Sequence, residues 1–193
     1  MVIGISGSSG SGKSTVTKIL DDKLNNSISI IVDDIMKKNI KEIYRDEIVK
    51  AFGLEELNPV SLFDSFESVK KWMNICEGNM SNELELLIKD YKKKYDYDLV
   101  DYSLLPMMRV YEMCDVTVSV VADINVKIGR LKERLIRTGH IAKWYNDETL
   151  INRMKCSTLE DFGYKSQYII TNNTTLEVLE KQVDDLIVKI NEN

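Results

Sequence analysis

Gly7-Ser8-Ser9-Gly10-Ser11-Gly12-Lys13-Ser14 fits the spacing G-x-x-x-x-G-K-[ST], and each residue type in it answers a need of anion binding. Glycines reach positive φ and let backbone N–H groups approach a phosphate with no Cβ in the way. A helix is expected to begin at about Ser14, so its N-terminal dipole points at the same anion. Lys13 can reach the β- and γ-phosphates of a nucleotide, and the Ser14 hydroxyl is suited to hold Mg²⁺. Gly10, Ser11, Gly12, Lys13, Ser14 and Thr15 are therefore the expected phosphate contacts. A flexible Gly/Ser turn would need neither a lysine nor a hydroxyl directly after its last glycine. The apolar run before the loop and the amphipathic segment after it supply the strand–loop–helix context that the motif requires.

Carboxylates stand at the ends of two further apolar runs. Asp33 and Asp34 follow "ISIIV" (28–32), and Asp101 lies in "DLVDY" (98–102). In open parallel sheets ligands bind beyond the carboxyl ends of the strands, so these acids should converge on the phosphate loop. Phosphoryl transfer to an alcohol needs a carboxylate to position the acceptor hydroxyl and take its proton. Asp34 is the candidate for that role. One of the two aspartates can instead cap a helix starting at Ile35. Asp101 occupies a place suited to binding Mg²⁺, directly or through water.

Arginines supply the opposite charge. "GRLKERLIRTG" sets Arg130, Arg134 and Arg137 at i, i+4 and i+7, on one face of a helix. Glu133 sits on a neighbouring row, and Arg153 follows on the next helix. Like charges on one face are mildly destabilising unless an anion neutralises them. The guanidinium fork suits phosphate oxygens and charge that develops during transfer. The segment is therefore expected to close over phosphate as a lid. His140 is the sole histidine and makes no metal site by itself.

The elements that must hold these groups are legible as five β-branched runs, "VIGIS" (2–6), 28–32, 98–102, "VTVSVV" (116–121) and "QYIIT" (167–171). Their apolar residues are mostly consecutive, as in strands buried on both faces. Helix-like segments alternate with them, which implies βαβ units and a parallel sheet. Residues 35–97 carry no strand signal and contain "DEIVKAFGLEEL", "VSLFDSFESVKKWMNI" and "NELELLIKDYKKKY", three expected helices of a cap. "TTLEVLEKQVDDLIVKI" places Leu176, Leu179, Val183, Leu186, Ile187 and Ile190 on one helical face. The expected organisation is one α/β domain in three α/β/α layers around a five-stranded parallel sheet. Its core comprises residues 1–34, 97–123 and 166–193, with a helical cap at about 35–96 and a helical lid at about 124–157.

Bulk properties narrow the function further. The chain has 193 residues, 44% hydrophobic and 30% charged, with a formal net charge of −5. That is enough apolar material for a core and no basic field for nucleic acid or an acidic membrane. Cys76, Cys114 and Cys156 are widely spaced and odd in number, which suggests buried free thiols rather than a disulfide framework. No apolar run approaches the roughly 20 residues of a membrane span, and a cytoplasmic protein, a monomer or weak oligomer, is expected.

Taken together, these stretches resemble the dephospho-coenzyme A kinase family of P-loop kinases, relatives of the nucleoside monophosphate kinases. "IGISGSSGSGKSTV" is similar to that family's opening, and "IIVDDIMKK" sits where the family has D-A-D, with Asp34 on the second, catalytic aspartate. "IVKAFG" is similar to a stretch of the cap, and "VDYSLL" resembles D-x-P-L-L, with Asp101 on its aspartate. "YIITNNTTLEVLEKQVDDL" is similar to the closing strand, asparagine and helix. Arg130 and Arg134 match the paired arginines of the lid helix. The likeness is weak across roughly 55–95. Val32 stands for the first aspartate of D-A-D, Ser103 for the proline of D-x-P-L-L, and Cys156 about where a glutamine is expected; the His-Pro pair of the family's cap has no counterpart.

The resemblance implies transfer of the ATP γ-phosphoryl to the ribose 3′-hydroxyl of dephospho-CoA. Asp34 would be the base, Lys13 and Arg134 would stabilise transferring charge, and Mg²⁺ would bridge the phosphates. Asn172 would lie near the adenine, and Asp34, Asp101 and Arg153 would meet the acceptor. The phosphate machinery is intact and the acceptor-recognising parts are altered. Another P-loop kinase of nucleosides or nucleotides, or an ATP-binding protein that has lost transfer, are the competing readings.

Overall fold

A computed structural model describes residues 1–39, 43–55, 62–137, 147–156, 159 and 164–192, apart from the side chains at 147, 149 and 153. Strands β1 (Val2–Ser6), β2 (Ser27–Ile31), β3 (Tyr97–Asp101), β4 (Val116–Val121) and β5 (Tyr168–Thr171) form one sheet in the order β2-β3-β1-β4-β5, with every pairing parallel. The consecutive apolar residues have the expected cause. Every residue of β1 is buried, and alternate side chains serve opposite faces. Val2 joins Ile30 and Val100 in one core, whereas Ile3, Ile5 and Leu99 join the other.

Helices fill both faces. On one side lie α1 (Lys13–Lys23) and α7 (Leu176–Asn191), which bury Val16, Leu20, Leu179 and Val183 against Ile3, Ile5 and Val118. The expected face of α7 holds at Leu179, Val183, Leu186 and Ile190; Leu176 starts the helix and stays exposed. On the other side lie α2 (Val32–Asn39), α3 (Arg45–Phe52), α4 (Phe66–Tyr91) and two 3₁₀ turns, Leu105–Met107 and Arg109–Met113. Beyond β4 come α5 (Ile124–Arg137) and α6 (Asp147–Cys156), which share a small core of Leu131, Leu150 and Met154. His140 lies outside the described residues. No described helix is long and apolar enough to cross a membrane.

Two of the boundaries that differ from the sequence reading have a direct physical reason. Val32 opens α2 instead of closing β2, and it is buried together with Met36, one turn on. The two helices expected within 60–95 meet as the single α4 of 26 residues. Ser65 caps it, its Oγ accepting the Ser68 N–H at 3.1 Å. Met73, Cys76, Met80, Leu84 and Ile88 then recur at helical spacing on its buried side and carry the helix through the polar "EGN". The three cysteines are free, and burial pushes the Cys76 and Cys114 thiols up to about 12, which leaves them unreactive.

Gly78 lies exposed in the middle of α4, and a Cβ built there meets nothing within 4 Å. Gly78→Ala should therefore stabilise the fold by about 0.5–1 kcal/mol, raising Tm by roughly 1–4 °C for a chain of this size. A melting curve that stays put or moves down contradicts this account of α4.

Candidate active site

The loop after β1 is shaped by glycines where the backbone demands them. Gly10 has φ 82° and Gly12 has φ 93°, both in the left-handed region. Space forbids a side chain as well. A Cβ on Gly10 would lie 2.5 Å from the Lys127 carbonyl oxygen, and one on Gly12 would collide with the Asn172 side-chain amide. Gly12 is followed at once by α1, which begins at Lys13, one residue earlier than expected. Above the loop opens a cavity of about 540 Å³. Gly7, Gly10, Gly12, Lys13, Ser14 and Thr15 form its floor, Asp33 and Ser103 lie at the ends of β2 and β3, and Arg130, Glu133, Arg134 and Arg137 come from α5. The sheet-end rule and the arginine periodicity thus converge on one place.

Lys13 is almost fully buried. Its ammonium pairs with the Asp101 carboxylate, which is completely buried at the end of β3. Thr17, one turn along α1, donates its hydroxyl to the other Asp101 oxygen at 2.7 Å. Asp101 is therefore behind Lys13 and does not line the cavity. Burial lowers the Lys13 pKa from 10.5 to about 8; the Asp33 carboxylate opposes that shift and Arg134 adds to it.

The adjacent aspartates are divided by the phase of α2. Asp33 lines the cavity, close enough to Lys13 and Tyr102 to act on both electrostatically. Asp34, the residue favoured from sequence, is turned outward. It is 69% exposed and accepts a hydrogen bond from Lys37 at 2.8 Å. The correction follows from Val32. Because that residue begins the helix, both acids fall in its first turn, about 100° apart around the axis.

Arg130 is seated against the loop. One guanidinium nitrogen reaches the Gly10 and Asn172 carbonyls at 3.4 and 3.0 Å, and the other reaches Asn172 Oδ1 at 3.2 Å. Asn172 is buried, and its amide nitrogen donates to the Ser11 carbonyl at 2.8 Å. Arg134 and Arg137, farther along α5, line the open part of the cavity. Arg153 belongs to α6, but its side chain lies outside the described residues. Three contributors were missed in the sequence. Thr17 could have been found as the residue one turn after Lys13. Buried Lys127, which donates to Ser8 Oγ at 3.1 Å, lies one turn before Arg130. Ser103 stood out only as a departure from a motif.

The lowered Lys13 sets a sign for anion binding. Near neutral pH the lysine is charged, and it loses its proton as pH rises through about 8. A bound polyphosphate favours the charged form and must raise that pKa. Inorganic triphosphate should therefore bind with proton uptake from about pH 8 upward, and its affinity should fall as pH climbs through that range. Calorimetry in buffers of different ionisation enthalpy reads the uptake, and Lys13→Met should abolish it. An affinity that is flat from about pH 7 to 9.5 contradicts the assignment.

Comparison with known proteins accords with this geometry. The chain is 28% identical to a protein of Fusobacterium nucleatum named dephospho-CoA kinase, covering 95% of each. Among solved structures it superposes on a shikimate kinase of Bacteroides thetaiotaomicron with a TM-score of 0.58 at 16% identity, covering 99% of this chain and 98% of that one. It superposes on a dephospho-CoA kinase of Campylobacter jejuni with a TM-score of 0.56 at 18% identity, covering 98% and 96%. The architecture is that of the P-loop kinases, and the likeness to dephospho-CoA kinases in sequence runs through nearly the whole chain. A family model described as an AAA domain matches residues 3–155, most of the length, and the chain belongs to that family.

Proposed function

We propose that the chain is an ATP-dependent phosphotransferase whose acceptor is the ribose 3′-hydroxyl of dephospho-CoA. One observation carries the proposal: the phosphate loop with Lys13, the arginine face of α5 and the Asp33 carboxylate all line a single cavity. The relatives named dephospho-CoA kinase support the choice of acceptor. The helices α2 to α4 serve as the acceptor cap and α5 with α6 as the lid of a cytoplasmic enzyme.

The chemistry is positioning and charge. Loop N–H groups and Lys13 hold the β- and γ-phosphates, Arg130 braces the loop, and Arg134 and Arg137 neutralise charge on the transferring group. Asp33 orients the acceptor hydroxyl and takes its proton as the oxygen attacks the γ-phosphorus. The bond from that phosphorus to the β,γ-bridging oxygen breaks, and ADP leaves with its electron pair. Among the described residues no three acidic, histidine or cysteine side chains gather as a metal cage. That suits Mg²⁺, which is commonly held by phosphates and water with few protein ligands. The exposed Ser14 hydroxyl would hold it, with Asp101 acting behind Lys13. Bound with the nucleotide, Mg²⁺ supplies further neutralisation of the phosphate oxygens.

Incubation with ATP and a panel of dephospho-CoA, nucleosides and nucleotides should yield a gain of about 80 Da, one phosphoryl group, on dephospho-CoA. A gain on a nucleoside alone transfers the assignment to another small-molecule kinase, and tight ATP binding with no product points to a protein without transfer. The two aspartates separate in the same assay. Asp33→Asn should lower kcat by about 10²–10⁴-fold, the usual scale for a positioned acid–base group, and spare ATP binding. Asp34→Asn should stay within about threefold of the parent, as for an exposed ion pair. The reverse ranking would return the base role to Asp34.

A further inference from the structure

Asn172 sits at the end of β5 with every polar atom engaged. Its backbone N–H donates to the Val121 carbonyl at 2.8 Å, which fixes it beside the end of β4. Its backbone carbonyl and side-chain oxygen receive the two arms of Arg130, and its side-chain NH₂ donates to the Ser11 carbonyl. A carboxamide suits this post because it offers a donor to one neighbour and an acceptor to the other. The loop itself leaves no room for a longer side chain, since Gly12 packs directly on the Asn172 amide.

We propose that Asn172 is a positioning residue which, with Arg130, pre-orients the phosphate loop by holding its carbonyls away from the anion. The physical basis is the peptide plane. The Ser11 carbonyl and the Gly12 N–H belong to one trans peptide and point to opposite sides. Tethering that carbonyl on the outer side of the loop turns the Gly12 N–H toward the cavity, which Gly12 lines. Arg130 adds a second contact to the Ser11 carbonyl at 3.5 Å and holds the Gly10 carbonyl at 3.4 Å, while the Ser11 N–H of that latter peptide is kept within the loop by the Ser8 carbonyl. A loop fixed in this way binds an anion without first reorganising its dipoles. The role differs from a contact with the adenine, because it acts on the phosphate loop through the Ser11 carbonyl. The inference rests on the reading of this loop as a phosphate site and needs no acceptor.

The test is calorimetric titration of the full chain with inorganic triphosphate and, separately, with ATP, using the parent, Asn172→Ala and Asn172→Asp, each checked by a thermal melt. Asn172→Ala removes the bonds to the Ser11 carbonyl and from Arg130 and should weaken both ligands by the same factor, roughly three- to tenfold, on the net scale of such hydrogen bonds. Asn172→Asp keeps the shape and the Arg130 contact but sets an oxygen against the Ser11 carbonyl, so it should bind triphosphate more weakly still. Being isosteric, it carries the test alone if the alanine variant does not fold. Either variant binding triphosphate as the parent does, with only Tm lowered, would reduce Asn172 to a structural role and overturn the proposal. Weakened ATP with unchanged triphosphate would overturn it in favour of a base contact. A parent chain that bound neither ligand would sink the phosphate-site reading and this inference together, whereas an error in the acceptor would leave the result intact.

Discussion

The buried pair between Lys13 and Asp101 is the interaction on which the site is built. Asp101 is wholly desolvated at the end of a central strand, and an ionised carboxylate there needs a cation and hydrogen bonds around it. Lys13 and Thr17 supply both from the first turns of α1. Because β1 and β3 are adjacent, with Ile5 opposite Asp101, the pair ties the strand before the loop, the strand beside it and the helix after it. Removing one partner from such a pair leaves the other buried and uncompensated, at a cost of about 3–5 kcal/mol. The lysine is thereby fixed on the cavity floor.

The fold was legible where one physical signal dominated. Runs such as "VIGIS" and "VTVSVV" cannot sit half-exposed, so they specify a buried parallel sheet, and the spacing of Arg130, Arg134 and Arg137 follows directly from the helical repeat. The site was less legible where the answer depended on phase. The strand-end rule draws attention to Asp33 and Asp34 together, and Asp33 lines the cavity. Choosing between them required knowing whether Val32 ends β2 or starts α2, and its consecutive apolar neighbours point to the strand. Packing decides otherwise, because Val32 and Met36 share the core beneath the helix. One residue of helix then turns Asp33 inward and leaves Asp34 to Lys37.

The contacts that brace the loop were hidden for a different reason. Lys127, Arg130 and Asn172 are far from the loop in sequence; Lys127 donates to the Ser8 hydroxyl, and the part of the other two depends on hydrogen bonds to backbone carbonyls. Carbonyls are present at every residue, so no sequence pattern marks the ones that are used. The likeness of "TNN" to a family ending pointed to Asn172 but not to what its carboxamide touches.

α5 consequently has two functions along one face. Its first turns are fastened to the loop by Lys127 and Arg130, and its later turns carry Arg134 and Arg137 over the open cavity. Leu131, with Ile128 and Leu135 packed around it, braces the opposite side against α6. A displacement of α6 would therefore act first on the outer arginines, while the inner one stays with the loop. The inner segment shapes the phosphate site itself. The outer segment lines the same cavity as Asp33 and Ser103. Of the residues that depart from the family's motifs, Ser103 lies on the wall of that cavity, whereas Val32 and Cys156 are buried in the core.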